Sequence, residues 1–265
     1  MRWLPLVVAA AMASSMPAPA SAAAGPEAQL KAGWGGGARL GGRAPVRLRL
    51  RIAPEGPPVT DVRLYLPVGL DFASTKLGTT TCQVPERDFR EVMLGLDSAG
   101  SPCPRNSLMG TGEAAARLIV PPPDDTELGT ARLRLYLGRE RGTLPGMVVA
   151  VDSLNPVVAT LRYRGYLSEA PSPFGLRVRV LVPPIPRPPF GITVALRSLD
   201  VTIGGRDLLY GARRHGRRVY YQPGGVRVPD RCRRGGLPFR VDVRFADGSF
   251  RRAATRTPCP RSPRR

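Results

Sequence analysis

The sequence predicts an all-β protein, an antiparallel β-sandwich with a disulfide-clamped hairpin at its C-terminal end. Three observations lead to this prediction. Apolar and polar residues alternate in several short segments, 30 glycines and 30 prolines punctuate the chain, and the four cysteines form an even set. Alternation with a period of two gives each strand one face on the core and one in water, as in antiparallel sheets. Helical periodicity is nearly absent, and only residues 88–96 are compatible with a short helix.

The N-terminal residues have the layout of a secretory signal peptide. A charged start, Met1-Arg2-Trp3, precedes an apolar run over 4–12 and the small residues Ala20-Ser21-Ala22. The apolar run is shorter than the roughly 20 residues that a membrane-spanning helix needs. We therefore expect a signal peptide over 1–22, a flexible glycine-rich lead-in over 23–42, no transmembrane segment, and a mature protein that is secreted or held at the cell envelope.

Strict alternation is clearest in residues 46–52, where every second residue is apolar and the residues between are arginines. The same pattern returns in four later segments, 62–66, 131–137, 176–182 and 239–245. Turn signals rich in Pro and Gly separate them, as in a sandwich of immunoglobulin-like or jelly-roll type. The apolar residues predicted to point inward are Leu48, Leu50, Leu64, Leu66, Leu133, Leu135, Val178, Val180, Val241 and Val243. Their arginine neighbours are predicted to face solvent.

One segment changes phase partway along its length. The apolar residues Val194 and Leu196 occupy even positions, whereas Leu199 and Val201 occupy odd ones. A β-bulge near Arg197-Ser198 restores a common apolar face. A second local feature, Gly110-Thr111-Gly112, superficially resembles a dinucleotide-binding loop, but the βαβ context is missing. We interpret it as a turn that enters a strand over 114–120.

The cysteines predict two disulfides, because an exported chain leaves the reducing cytosol. Four cysteines allow three connectivities, and proximity favours Cys82–Cys103 and Cys232–Cys259, each stabilising by roughly 3 kcal/mol in the chain-entropy model. Asp247-Gly248 predicts a two-residue hairpin loop. That register pairs Ala246 with Ser249 and puts Gly236 opposite Cys259, so that the second disulfide clamps the hairpin's mouth.

The organisation that follows is a β-sandwich over 43–205 and a basic C-terminal β-hairpin segment over 206–265, packed on the same sandwich. The whole chain has 40 basic and 20 acidic residues, and all but two of the basic residues are arginine. Residues 206–265 hold 17 arginines against four aspartates. Such a charge attracts polyanions, and arginine forks suit phosphate, sulfate and carboxylate.

Two arginine clusters in this segment are the candidate binding residues. They comprise Arg213, Arg214, Arg217 and Arg218, with Tyr220 beside them as a stacking ring, and Arg231, Arg233 and Arg234. If residues 217–221 and 226–230 form neighbouring strands, the clusters meet at one end of the sheet. The alternative interpretation is a solvated basic face that reflects a GC-rich genome.

Catalytic and metal-binding patterns are weak. The single histidine, His215, lies among arginines, and no nucleophile motif accompanies it. The cysteines lack zinc spacing, and the acidic turn 124–127 lacks the spacing of an EF-hand calcium loop. We therefore expect no catalytic residue, no metal and no cofactor, although a two-carboxylate carbohydrate-active hydrolase remains a distant alternative.

Two stretches resemble a group of uncharacterised secreted β-rich proteins of high-GC bacteria. They are the segment from Cys103-Pro104 to Gly110-Thr111-Gly112-Glu113-Ala114, and Phe245-Ala246-Asp247-Gly248 followed by Pro258-Cys259. The resemblance implies a fold and no activity. The functional expectation is a non-catalytic secreted or envelope-associated protein that binds anionic polymers, such as wall polymers, acidic glycans or an anionic lipid surface, and no specific nucleic acid. A purely structural extracellular module without a ligand is the second hypothesis.

Overall fold

The computed structural model describes ten segments of the chain. They are residues 27–53, 56–72, 76–89, 93–94, 103–119, 126–141, 144–155, 158–182, 193–206 and 208–262. The predicted signal peptide lies outside the described residues. The predicted lead-in does not stay irregular: residues 28–34 form a strand, and Arg39 forms a parallel bridge with Arg261 near the C-terminal end.

Sixteen strands form within the described residues. In chain order they are β1 Ala28–Trp34, β2 Arg43–Ala44, β3 Val46–Ile52, β4 Val59–Pro67, β5 Met93–Leu94, β6 Leu108–Ile119, β7 Thr126–Arg141, β8 Leu144–Asn155, β9 Ala159–Glu169, β10 Phe174–Leu181, β11 Thr193–Ile203, β12 Tyr210–Arg214, β13 Arg217–Tyr221, β14 Val226–Arg227, β15 Leu237–Phe245 and β16 Phe250–Thr257. Two short 3-10 helices, Glu86–Phe89 and Arg105–Ser107, are the helical elements described. The first overlaps the segment compatible with a helix only at residues 88–89, and Met93–Leu94 of that segment forms a strand instead. The all-β prediction is confirmed.

One antiparallel sheet of 12 strands dominates the molecule. Its order is β1-β3-β11-β6-β7-β8-β9-β10-β4-β15-β16, with β5 paired to β9. The strands follow one hydrogen-bonded path, and the sheet curves until its two edges meet. There the indole nitrogen of Trp34 in β1 donates to the hydroxyl of Thr257 in β16 at 3.2 Å, and the Trp34 ring packs edge-on against Phe239.

The apolar face of the curved sheet encloses one main core. Eight of the ten residues predicted to point inward are buried, and Leu64 and Val180 are partly buried against the same core. The bulge in β11 is confirmed, because the pairing with β6 shifts between Leu196 and Ser198. The predicted turn at residues 110–112 is wrong, since these residues lie inside β6. A Cβ at Gly112 would sit 2.3 Å from the Asp200 carbonyl oxygen, so glycine permits close approach of β6 and β11.

The other face of the sheet carries arginines, nine of which form ion pairs with carboxylates. Arg47 and Arg49 both bind Asp200, at 2.6 and 2.7 Å. Deeper in the molecule, Arg63 and Arg179 both bind Asp61, at 2.7 and 2.9 Å. Further pairs join Arg134 to Asp152, Arg162 to Asp88, Arg164 to Glu86 and Arg252 to Asp242. The predicted solvent-facing arginines of β3 are exposed, whereas those of β4 and β10 are partly buried.

Both predicted disulfides are present, with Cα separations of 4.9 Å for Cys82–Cys103 and 5.7 Å for Cys232–Cys259. The C-terminal hairpin also forms, but its predicted register is wrong by one residue. Phe245 donates its backbone N–H to Ser249, and Leu237 lies opposite Thr257. Three residues therefore form the loop, with Gly248 at φ +82° as its left-handed position, the arrangement of a type I turn followed by a G1 bulge.

Candidate functional site

The first predicted arginine cluster forms the tip of a separate two-stranded hairpin. Strands β12 and β13 pair only with each other among the described strands. Arg213 lies opposite Arg218, and Arg214 lies opposite Arg217. The turn between them, His215-Gly216, has φ values of +49° and +75°, which is the type I′ geometry that matches the twist of a two-residue hairpin. We call residues 210–221 the arginine hairpin.

The base of the arginine hairpin is fixed to the main core. Tyr210 is almost fully buried, its hydroxyl donates to the Leu108 carbonyl, and the backbone N–H of Gly78 donates to that hydroxyl at 2.9 Å. Burial raises the pKa of Tyr210 to about 12. The side-chain amide of Asn106 donates to the carbonyl of Gly211 at 2.7 Å. A hairpin alone is marginal in water, so these contacts position the tip.

The two ends of the segment that carries the hairpin also touch. A Cβ added to Gly204 would lie 2.4 Å from the Cα of Gly225, and a Cβ added to Gly225 would lie 2.3 Å from the carbonyl carbon of Ala44. Both glycines have positive φ, +74° and +102°, so side chains are disfavoured there on two counts. The chain therefore leaves and rejoins the body of the protein at one point beside the start of β3.

The arginines of the hairpin tip have no partner of opposite charge among the described residues. Arg213, Arg214, Arg217 and Arg218 are all exposed, and none of them pairs with a carboxylate within the residues that the structure describes. The sequence from 208 to 222 contains no acidic residue. Four guanidinium groups are thus concentrated on the six residues 213–218, which creates a strongly positive local field.

Strand alternation divides these arginines between the two faces of the hairpin. Gly211, Arg213, Arg218 and Tyr220 share one face, which we call the aromatic face. The guanidinium carbon of Arg218 lies 5.5 Å from the centre of the Tyr220 ring, and a shallow groove of about 460 Å³ runs over Gly211, Arg213 and Arg218. Arg214, Arg217 and Val219 occupy the opposite face.

The second predicted cluster does not join the first through a strand ladder. Strand β14 pairs with β2, and β13 pairs with β12, so the supposition of neighbouring strands over 217–221 and 226–230 is wrong. Arg231, Arg233 and Arg234 are exposed in the loop between β14 and β15, which the Cys232–Cys259 disulfide ties to the end of β16. This loop approaches residues before β3 through the Gly41 N–H, which donates to the Pro229 carbonyl. Both clusters therefore attach at the end of the sheet where β3 begins.

A second concave region lies beneath the first disulfide. The segment from Cys82 to Phe89 crosses β7, β8 and β9 and leaves a cavity of about 770 Å³. Arg164 spans it, bound to Glu86 at 2.7 Å and stacked over the Phe89 ring at 4.4 Å. Among its described lining residues Glu86 is the single carboxylate. No local sequence pattern indicates this cavity, because it forms between residues 82–89 and strands that come much later in the chain.

The ion pairs of the sheet were also missed by sequence reasoning. Asp61 is only 4% exposed and Asp242 only 5%, although both stand in segments whose alternation predicts a wet face. Burial by itself raises the pKa of Asp61, but hydrogen bonds from Arg179 and Arg63 outweigh it and lower the pKa below its usual value. These carboxylates neutralise sheet arginines and leave the hairpin arginines as the main unneutralised group at the hairpin end of the molecule.

Neither a metal-ligand group among the described residues nor a known relative indicates a function for this chain. The described residues contain no group of three or more His, Cys, Asp or Glu side chains placed to hold a metal ion. None of the described segments forms a helix with the length and hydropathy that a bilayer span requires. Comparisons of the chain with protein-family models, with curated proteins and with solved structures found no match.

Proposed function

We propose that this chain is a non-catalytic secreted or cell-envelope protein that binds anionic polymers through the arginine hairpin. The observation that carries the proposal is the contrast between paired and unpaired arginines. Nine arginines of the twelve-stranded sheet are bound to aspartates and glutamates, whereas Arg213, Arg214, Arg217 and Arg218 are exposed without a described carboxylate partner. Guanidinium forks that carry no internal partner are available to phosphate, sulfate or carboxylate groups.

Two further features support the proposal. The hairpin is held at its base by Tyr210 and Asn106, so the charged tip is presented on a fixed support and loses less entropy on binding. Two disulfides in a chain with a signal-like N-terminus fit an oxidising compartment outside the cytoplasm. Wall polymers and acidic glycans are the polyanions met there.

The test is binding to purified cell wall and to soluble polyanions as a function of salt. The variant Arg213→Gln, Arg214→Gln, Arg217→Gln, Arg218→Gln should lose most of the affinity and most of the salt dependence, because counterion release scales with the number of contacts. The matched control removes four charges elsewhere by Lys31→Gln, Arg51→Gln, Arg139→Gln and Arg244→Gln. These four residues are exposed and have no described ion pair.

The control distinguishes the hairpin from bulk charge. Equal loss of binding in both variants would assign the affinity to net charge alone. Absence of binding by the parent protein at low salt would leave the structural module as the function. Release of sugar from a glycan by the parent protein would instead indicate a hydrolase.

A further inference from the structure

We infer that the aromatic face of the arginine hairpin is the contact surface for an acidic glycan, a polymer whose sugar rings carry carboxylate or phosphate groups. This inference rests on the proposed function and specifies which face binds and what chemistry the ligand needs. The ligand must offer a sugar ring that stacks on an aromatic side chain and anionic groups that bind the guanidinium groups, all within one or two sugar units.

The ring available for stacking is Tyr220. Its side chain is 54% exposed, and the residue opposite it on β12 is Gly211. Because glycine has no side chain, nothing on β12 covers that part of the face. A Cβ at Gly211 would stand 3.5 Å from a ring carbon of Tyr220 and 3.3 Å from Nε of Arg218. The Tyr220 ring and Arg218 therefore lie close over Gly211, and a larger side chain at that position would displace them.

The anion-binding groups lie next to that space. Arg218 stacks against Tyr220 at 5.5 Å, and Arg213 lies directly opposite Arg218. Side chains in such cross-strand pairs start about 5 Å apart, so both guanidinium groups reach one bound unit. A sugar ring on Tyr220 thus has two arginine forks beside its acidic substituents.

The opposite face has the same charge but lacks an available ring. It carries Arg214 and Arg217, and its aromatic residues are Tyr210 and Tyr221. These two rings pack edge-on against each other at 5.5 Å, and Tyr210 is buried. The two faces are therefore matched in arginine and differ in the ring, which makes each a control for the other.

The order of residues along the hairpin favours a glycan over a lipid surface. From tip to base the hairpin presents His215-Gly216, then four arginines, and only then Val219 and Tyr220. Insertion into a bilayer places apolar groups deepest, with cations behind them at the headgroups. In this hairpin the arginines lie nearest the tip and the apolar groups lie behind them. The tip therefore contacts anionic groups without inserting into a bilayer.

The experiment measures binding of the full chain to polygalacturonate, which offers rings and carboxylates, and to inorganic polyphosphate, which offers charge without rings. The aromatic-face variant Arg213→Gln, Arg218→Gln should weaken polygalacturonate binding about tenfold more than the opposite-face variant Arg214→Gln, Arg217→Gln. On polyphosphate the two variants should be equivalent. Tyr220→Ala should weaken polygalacturonate binding about fivefold to tenfold and leave polyphosphate binding unchanged.

Two further variants keep the result interpretable. Tyr220→Phe retains the ring and should retain binding, whereas Gly211→Leu displaces the Tyr220 ring and Arg218 without a change of charge and should weaken binding to polygalacturonate alone. Equal effects of the two arginine pairs on polygalacturonate, with no effect of Tyr220→Ala, would overturn the inference and leave the proposed function intact. Binding to anionic vesicles but to neither polymer would also overturn it. Failure of the parent protein to bind any polyanion would remove the proposed function itself.

Discussion

Arginines in the sheet and arginines in the hairpin have opposite surroundings. In β4 and β10, Arg63 and Arg179 share Asp61, a carboxylate that is almost fully buried. In the arginine hairpin, Arg213 and Arg218 face each other across the strands with no acidic residue between 208 and 222. One group holds neighbouring strands together, and the other adds like charge to a surface.

This difference shows what the arginine excess does in each place. Ion pairs across adjacent strands stabilise the sheet and hide its charge from distant ligands. Opposed arginines on one ribbon repel each other, which costs stability, so their arrangement does not stabilise the fold. Net charge alone does not distinguish the two groups, because only the strand order shows which arginine meets a carboxylate.

The largest loss of stability is expected when a charge is placed on the apolar face of the same sheet. Val241 is 2% exposed in the main core, next in sequence to Asp242, whose carboxylate lies on the other face and binds Arg252. Val241→Asp should destabilise the fold by several kcal/mol, since it buries a charge without a partner. Chemical denaturation measures the loss. Unchanged stability would mean that the faces of β15 are assigned wrongly.

A smaller effect is expected from removing the buried carboxylate of Asp61, which two arginines share. Asp61→Asn keeps the side-chain volume but leaves Arg63 and Arg179 without their carboxylate, and should cost about 2–3 kcal/mol. The matched control is Asp230→Asn, because Asp230 and its partner Arg227 are both exposed; its cost should stay within about 0.5 kcal/mol. Similar costs for both variants would remove the distinction between buried and exposed pairs.

Acid should weaken the sheet through the same carboxylate. The pKa of Asp61 is lowered from its ordinary value of 3.8 in the folded protein, so its stabilisation is complete at pH values above the ordinary value. That stabilisation is lost as the pH falls through the lowered pKa. Unfolding curves recorded at successive pH values below 4 should show a shallower decline for Asp61→Asn than for the parent protein. Parallel declines would contradict the assignment.

The smallest effect on stability is expected from the hairpin. Replacing Arg213, Arg214, Arg217 and Arg218 by glutamine should change the free energy of unfolding by no more than about 0.5 kcal/mol, because exposed side chains without partners contribute little. Relief of repulsion makes a small gain the expected direction. Melting curves should be recorded for this variant and for Arg63→Gln. The Arg63→Gln variant should be clearly destabilised, so the two curves compare a sheet arginine with the hairpin arginines. A large loss in the hairpin variant would show that its arginines have a structural role.

Local patterns predicted much of the fold because they carry their own physical constraint. The phase change around Arg197 required a bulge, and the pairing of β11 with β6 contains it. The loop at Asp247-Gly248 was less determined, since the same dipeptide serves a two-residue loop or a three-residue loop with a G1 bulge. Pairing of Phe245 with Ser249 selects the second.

Long-range pairings were outside the reach of the sequence. Asp61 gains Arg179 only because β10 lies beside β4, although 118 residues separate them. The candidate binding residues of the hairpin are recognisable from composition, but their division into two faces depends on the pairing of β12 with β13. The supposed pairing of 217–221 with 226–230 does not form, because the two-residue turn His215-Gly216 pairs 217–221 with 210–214 instead.

The contact between Gly204 and Gly225 has a consequence for how this protein can change over time. The chain between them departs from and returns to one point, and it contributes Leu208 and Tyr210, which are about 1% exposed, to the main core. Substitution or lengthening of its exposed tip over 213–218, with these anchoring residues kept, is expected to leave the register of β11 and β14 untouched. The tip can therefore vary between related chains, or be replaced by grafting in the laboratory, while the twelve-stranded body stays the same.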